Sequence, residues 1–167
     1  MGRHKALLPV GGIPLLCAHL DALRPHTCAL RVGLGAEADR LRAVLPEDAA
    51  VILSPSWQTT GPRETLLCLL EGLPDAQPIL VTPVDVPPAP ARVLSALLAA
   101  GPPALPTHGG QPGHPLLLTA GGARRALAVG TLKVAAAQAT AVAVDWPGAL
   151  RNLNTPADWR AWTGAAP

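Results

Sequence analysis

Phenylalanine and tyrosine are both absent from this chain, and aromatic residues make up only 2% of its 167 positions. Base stacking of the kind used by single-strand nucleic-acid binders therefore has only four tryptophans to draw on. Charge is scarce as well: 14% of residues are charged, and 13 basic side chains against 11 acidic ones leave a formal net charge of +2. That balance argues against a protein that coats nucleic acid with a basic field. Hydrophobic residues reach 49%, yet proline, glycine and short polar groups break each apolar run well before the roughly 20 residues that a membrane span needs. Neither nucleic acid nor membrane is expected as a partner. The opening Met1-Gly-Arg-His-Lys5 and the apolar stretch behind it lack a small-residue cleavage site, so a cytoplasmic setting is expected. Cys17, Cys28 and Cys68 are odd in number, with no Cys-x-x-Cys pair and no histidine at zinc spacing, and are expected to be buried, inert thiols. There is also no Gly-x-Ser-x-Gly elbow, no Gly-x-x-x-x-Gly-Lys-Ser/Thr loop and no Gly-x-Gly-x-x-Gly fingerprint after a strand. Serine hydrolases, P-loop NTPases and dinucleotide oxidoreductases are thereby disfavoured.

What remains is a chain sized for one domain over residues 1–167, at roughly 150 residues per domain. Helical and β-branched stretches alternate without an internal repeat, the pattern of an α/β domain with a mainly parallel sheet. Pro14 suits the first position of a helix running to Leu23, and Ala29–Leu34 and Ala49–Leu53 read as strands around a helix over Glu37–Leu45. Leu66, Leu69, Leu70 and Leu73 share the core face of a helix over Arg63–Leu73. Ile79–Thr82 is a strand, Ala91–Ala99 a helix, Leu116–Thr119 extended, Gly122–Ala128 and Leu132–Gln138 helical, and Ala141–Val144 a strand. Thr155, Pro156 and Asp158 have the order of a helix N-cap, first residue and acidic third residue.

Chemistry concentrates at a few positions. Gly2-Arg3-His4-Lys5 puts two permanent cations on a flexible backbone, as a phosphate grip or merely as a basic terminus. Asp85 follows the Ile79–Thr82 strand between Pro83 and Pro87, at the strand end where open α/β sheets bind ligands. A stiffened carboxylate there suits a hard cation such as Mg²⁺, or caps its own turn. Asn152 and Asn154 alternate just ahead of a helix start, placed to complete a metal shell, orient a sugar or cap the helix. His114 stands in a polar, mobile-looking loop from Gly109 to Pro115, suited to substrate recognition or to a bystander role.

Met1-Gly-Arg-His-Lys5 with the following Leu-Leu-Pro-Val-Gly-Gly, then Pro83-Val-Asp85-Val-Pro87, Gly113-His-Pro115 and Asn152-Leu-Asn154-Thr-Pro156-Ala-Asp158 together resemble the MobA/MocA-like nucleotidyltransferases, in order and spacing along nearly the whole chain. The resemblance implies a three-layer, Rossmann-like (GT-A-like) fold and transfer of NMP from GTP or CTP to a small phosphorylated acceptor such as molybdopterin, with release of pyrophosphate. It implies Lys5, Arg3 and Asp85 as catalytic residues, and Gly2, Lys5, Gly61, Thr65 and Asp85 on the nucleotide. It further implies His114, Asn152 and Asn154 on the substrate, Mg²⁺ on Asp85 and Asn154, and a monomer. A sugar phosphate or other small acceptor, and a non-catalytic nucleotide- or partner-binding remnant, are the alternatives. The family's first strand and phosphate-cradling glycines have no counterpart here, because the motif begins at Met1; the expectation is a reading frame that starts upstream. That strand is central in the family's sheet, so its neighbours would lack ladder partners.

Overall fold

The computed structural model describes residues 4–54, 58–59 and 61–164. Two glycine pairs shape turns that periodicity alone does not reveal. Gly11 and Gly12, both at positive φ, close a hairpin between β1 (Pro9–Val10) and β2 (Ile13–Pro14). Gly109 and Gly110 do the same between β6 (Ala104–His108) and β7 (Gln111–Pro112). A two-residue loop with positive φ at both positions matches the twist of the flanking strands, and glycine takes it without steric cost. The stretch expected to be a mobile loop is thus partly a strand, and Ala104–His108 is a strand that the sequence reading passed over.

Between these hairpins, α1 (Leu15–Leu23) starts one residue later than expected, because Pro14 is extended and pairs with Pro9. The chain continues through β3 (Leu30–Leu34), α2 (Ala38–Arg42), β4 (Ala49–Leu53), α3 (Pro62–Leu70), β5 (Pro78–Val81) and α4 (Ala91–Ala100) to the β6–β7 hairpin. It then runs through β8 (Leu116–Thr119), α5 (Ala120–Val129), α6 (Lys133–Ala136), β9 (Thr140–Ala143) and α7 (Pro156–Thr163). Strands β3 and β4 pair in parallel, Leu30 opposite Ala49 through Leu34 opposite Leu53. A five-stranded sheet holds the rest: β8 runs antiparallel to both β5 and β6, β7 continues antiparallel along β6, and β9 lies parallel to β6. The α/β class stands, but the expected mainly parallel sheet is mixed: β3–β4 and β6–β9 pair in parallel, whereas β5–β8, β6–β8 and β6–β7 pair antiparallel. Among the described residues, β3 and β5 each pair on one edge alone.

Alternation along β8 shows the layering. Leu117 packs with α4 residues Val93, Leu94 and Leu97, whereas Leu116 and Leu118 pack with Ala123 and Leu127 of α5. Helices therefore cover both faces of a central sheet. Helix α3 bridges the two sheets: Leu66, Leu67 and Leu70 join the α5 side, while Thr65 and Leu69 press on Gly33 of β3 so closely that any Cβ there would overlap the Thr65 methyl. Arg31 of β3 donates to the carbonyls of Leu69 (2.8 Å) and Glu71 (2.7 Å), satisfying acceptors that the end of α3 leaves open. The expected burial of the cysteines is not met. Cys28 is exposed in the connection leading to β3, and Cys17 and Cys68 are half-buried on helix flanks. No helix among the described residues is long and apolar enough to cross a membrane.

Candidate active site

Three of the predicted residues converge. The Lys5 ammonium donates to Asn154 Oδ1 at 2.6 Å and lies 3.7 Å from Asp85 Oδ2, joining segments up to 149 residues apart. Each polar residue is next in sequence to a buried apolar one: Ala6 (2% exposed) follows Lys5, Val86 (1%) follows Asp85 and Leu153 (1%) precedes Asn154. Leu153 packs with Leu8, Leu15 and Trp159 in one cluster. Fully burying a side chain of this size contributes about 1.5–3 kcal/mol. A salt bridge whose partners are each about one-third exposed contributes about 0–1 kcal/mol. Packing therefore assembles the cluster, and the charges are carried into place by it.

The Asp85 segment is tied down from both sides. Its carbonyl accepts from the Leu153 N–H at 2.7 Å, and the buried His19 ring of α1 donates through Nε2 to the Val86 carbonyl at 2.9 Å. Burial pushes the His19 pKa down, against the pull of the Val86 and Val84 carbonyls and of Asp85. His19 anchors the Asp85 loop across 67 residues of separation, a role with no local signal in the sequence. Among the described residues, the Asp85 carboxylate accepts no backbone hydrogen bond, so the turn-capping alternative is not what the structure contains.

Asn154 is held by the start of α7. Thr155 accepts from the Asp158 N–H (3.1 Å), and the Asp158 carboxylate accepts from the Thr155 N–H (2.8 Å), the Thr155 hydroxyl (2.8 Å) and the Asn154 N–H (3.2 Å). The expected cap is thus a full capping box. The Thr155 hydroxyl first, then these backbone donors and the charge of Lys5, hold the Asp158 carboxyl below the usual carboxylate range.

The remaining predicted residues lie elsewhere. Gly61 caps α3 and Thr65 faces β3, and no hydrogen bond or ion pair among the described residues links either to Lys5 or Asp85. Gly2 and Arg3 fall outside the described residues. His114 and Asn152 line a separate cleft of about 350 Å³, together with Gln111, Gly113 and Arg151. There His114 is half-buried, and that burial lowers its pKa while the negative Asp85 draws it upward. A larger concavity of about 460 Å³ around Thr107, His108 and Asp145 holds none of the predicted residues. Its His108 Nδ1 lies 3.2 Å from the Val144 carbonyl. The predicted residues that the structure describes near one another are thus divided between the smaller cleft and the Lys5 cluster. Arg151, which the sequence reading did not single out, directly precedes the Asn152-x-Asn154 pair and lines the same cleft.

A family model described as the MobA-like NTP transferase domain matches residues 1–147. The chain belongs to that family. Among its relatives, the bifunctional protein GlmU of Rubrobacter xylanophilus is 36% identical over 98 residues, 58% of this chain and 20% of that protein. The chain thus spans about a fifth of the length of the curated relatives it matches. The Rv0371c structure of Mycobacterium tuberculosis H37Rv superimposes with a TM-score of 0.79 at 20% identity, covering 99% of this chain and 91% of the other. Its complex with manganese gives 0.73 at 22% identity, covering 98% and 94%. Molybdopterin-guanine dinucleotide biosynthesis protein A of Archaeoglobus fulgidus gives 0.65 at 20% identity, covering 98% and 90%. These likenesses establish a shared fold of the MobA-like kind.

Proposed function

We propose that this chain is a nucleotidyltransferase that moves an NMP unit from GTP or CTP to a small phosphorylated acceptor, molybdopterin being one candidate. The observation that carries the reading is the meeting of Lys5, Asp85 and Asn154 at one point beyond the end of β5. In such a reaction an oxygen of the acceptor phosphate attacks the α-phosphorus of the NTP. The bond to the bridging oxygen breaks, and pyrophosphate leaves with its electron pair. The protein has little covalent work to do, so positioning and charge compensation carry the catalysis. Lys5 neutralises triphosphate charge, aided by Arg3. Gly2, Gly61 and Thr65 complete the nucleotide side, and His114 and Asn152 receive the acceptor.

Mg²⁺ fits the donor set. Asp85 and Asn154 each aim an oxygen at the same cation, the Lys5 ammonium, which shows that the two oxygens converge on positive charge. One carboxylate and one amide make a weak site by themselves, but Mg²⁺ retains waters and takes substrate phosphates as further ligands. No group of three or more His, Cys, Asp or Glu residues suited to a metal occurs among the described residues, so the metal is expected to arrive with the nucleotide. Bound there, it would supply charge neutralisation on the phosphates. Pyrophosphate release with each NTP across phosphorylated acceptors tests the reading, and Asp85→Ala is expected to lower Mg²⁺-dependent turnover by about a hundredfold to a thousandfold. Undiminished turnover in that variant overturns the metal assignment. Failure of every Mg²⁺–NTP to raise the melting temperature favours the non-catalytic remnant.

A further inference from the structure

We propose that the cleft between residues 111–114 and 149–152 binds the phosphate monoester of the acceptor, with Arg151 as its charged anchor. The inference rests on the transferase reading and adds to it the chemistry by which the acceptor is held. Arg151 is the one charged side chain lining the cleft. It is half-buried, and among the described residues its guanidinium makes no hydrogen bond or ion pair. Arg24, Arg31, Arg63 and Arg124 are engaged by carboxylates or carbonyls; Arg42, Arg125 and Arg160 share the unpaired state among the described residues, but of these unpaired arginines Arg151 is the one that lines the cleft. A free guanidinium fork matches two oxygens of a phosphate at once.

Two further observations point to a ligand. His114 Nδ1 is buried and has no hydrogen-bond partner among the described residues, a state that it shares with His4 Nδ1 and Ser54 Oγ elsewhere in the chain. The walls are also set before any ligand arrives. The Gly113 N–H donates to the Pro106 carbonyl (2.9 Å), His114 N–H to Ala149 (3.0 Å) and Arg151 N–H to Gly148 (3.2 Å). Gly113 lies so close to Ala149 that any Cβ would overlap its carbonyl. With the amides of Gln111 and Asn152, the lining offers more donors than the two oxygens of a carboxylate use, which favours phosphate. Position agrees with chemistry. Arg151 is three residues ahead of Asn154, at most about 10 Å along an extended chain, and Asp85 acts electrostatically on His114. A phosphate held by Arg151 therefore stands beside the cluster assigned to the triphosphate.

Methyl phosphate, titrated into the full 167-residue chain while the His114 ring protons are followed by NMR, tests the site. A saturable shift is expected, weakened about tenfold or more in Arg151→Gln and less in Arg151→Lys, with acetate binding far more weakly than methyl phosphate. The guanidinium has no partner among the described residues, so the melting temperature of Arg151→Gln should match the parent, as should its stabilisation by Mg²⁺–GTP or Mg²⁺–CTP. Absence of a saturable shift, equal affinity in Arg151→Gln, or acetate binding as tightly as methyl phosphate overturns the proposal. The two readings separate cleanly: methyl phosphate binding without any response to nucleotide supports the anion site while removing the transferase reading, and a nucleotide response without methyl phosphate binding does the reverse.

Discussion

The Lys5 cluster and the Arg151 cleft are built from neighbouring stretches of one segment, residues 151–154, yet they stand in opposite electrostatic states. Around Lys5 the groups satisfy one another: ammonium, amide oxygen and carboxylate already meet. Around Arg151 they do not, since a guanidinium and a ring nitrogen both lack partners among the described residues. The difference teaches that the first region can keep its shape without a ligand, which must then displace the Lys5 contacts. The second holds a guanidinium and a ring nitrogen without partners among the described residues, on a backbone frame that is already hydrogen-bonded.

Trp159 is 1% exposed and packs on Leu8, Leu15 and Leu153, so Trp159→Ala should cost about 3–5 kcal/mol in a denaturant titration. The damage should fall on the Lys5 cluster, because Leu8 and Leu153 position Lys5 and Asn154; NTP-dependent stabilisation should be lost before methyl phosphate binding is. Gly113→Ala does the reverse. The new methyl would strike the Ala149 carbonyl and push the two walls apart, destabilising the fold by about 1–3 kcal/mol and weakening methyl phosphate, with NTP stabilisation retained.

The smallest effect is pH dependence. Burial lowers the pKa of both His19 and His114, so the fold favours their neutral rings. The unfolded chain takes up protons as pH falls below about 6.5, whereas the folded chain does so only at lower pH. Their stabilisation is therefore complete above pH 6.5 and is lost as pH falls through the folded pKa values. Melting temperature should drop between pH 7 and pH 5, and His19→Gln, which keeps a donor for the Val86 carbonyl, should flatten part of that slope. An unchanged slope would show that His19 does not contribute to it.

Much of the scaffold could be read ahead of time because its signals are local. Thr155, Pro156 and Asp158 specify a helix start within four residues, and the structure contains that capping box. Leu66 and Leu70 announce a core-facing helix, which ends at Leu70 rather than Leu73. The β6–β7 hairpin went unread although its Gly-Gly turn is a local signal, because its strands include Pro106 and Pro112, which obscure a strand pattern. The burial expected of the cysteines failed for a different reason: apolar neighbours in sequence do not tell which flank of a helix meets solvent.

By itself the sequence determined which side chains were available for chemistry and their order along the chain, because residue type and spacing are covalent facts. It carried Lys5, Asp85, His114, Asn152 and Asn154 in that order, and the MobA-like pattern rests on it. Only the tertiary structure decided their partnerships: that Lys5 meets Asn154 across 149 residues, that His19 braces the Asp85 loop, and that Arg151 is left unpaired in a cleft. Those outcomes depend on which apolar neighbours are buried together, and burial is a property of the whole packed core that no local stretch contains.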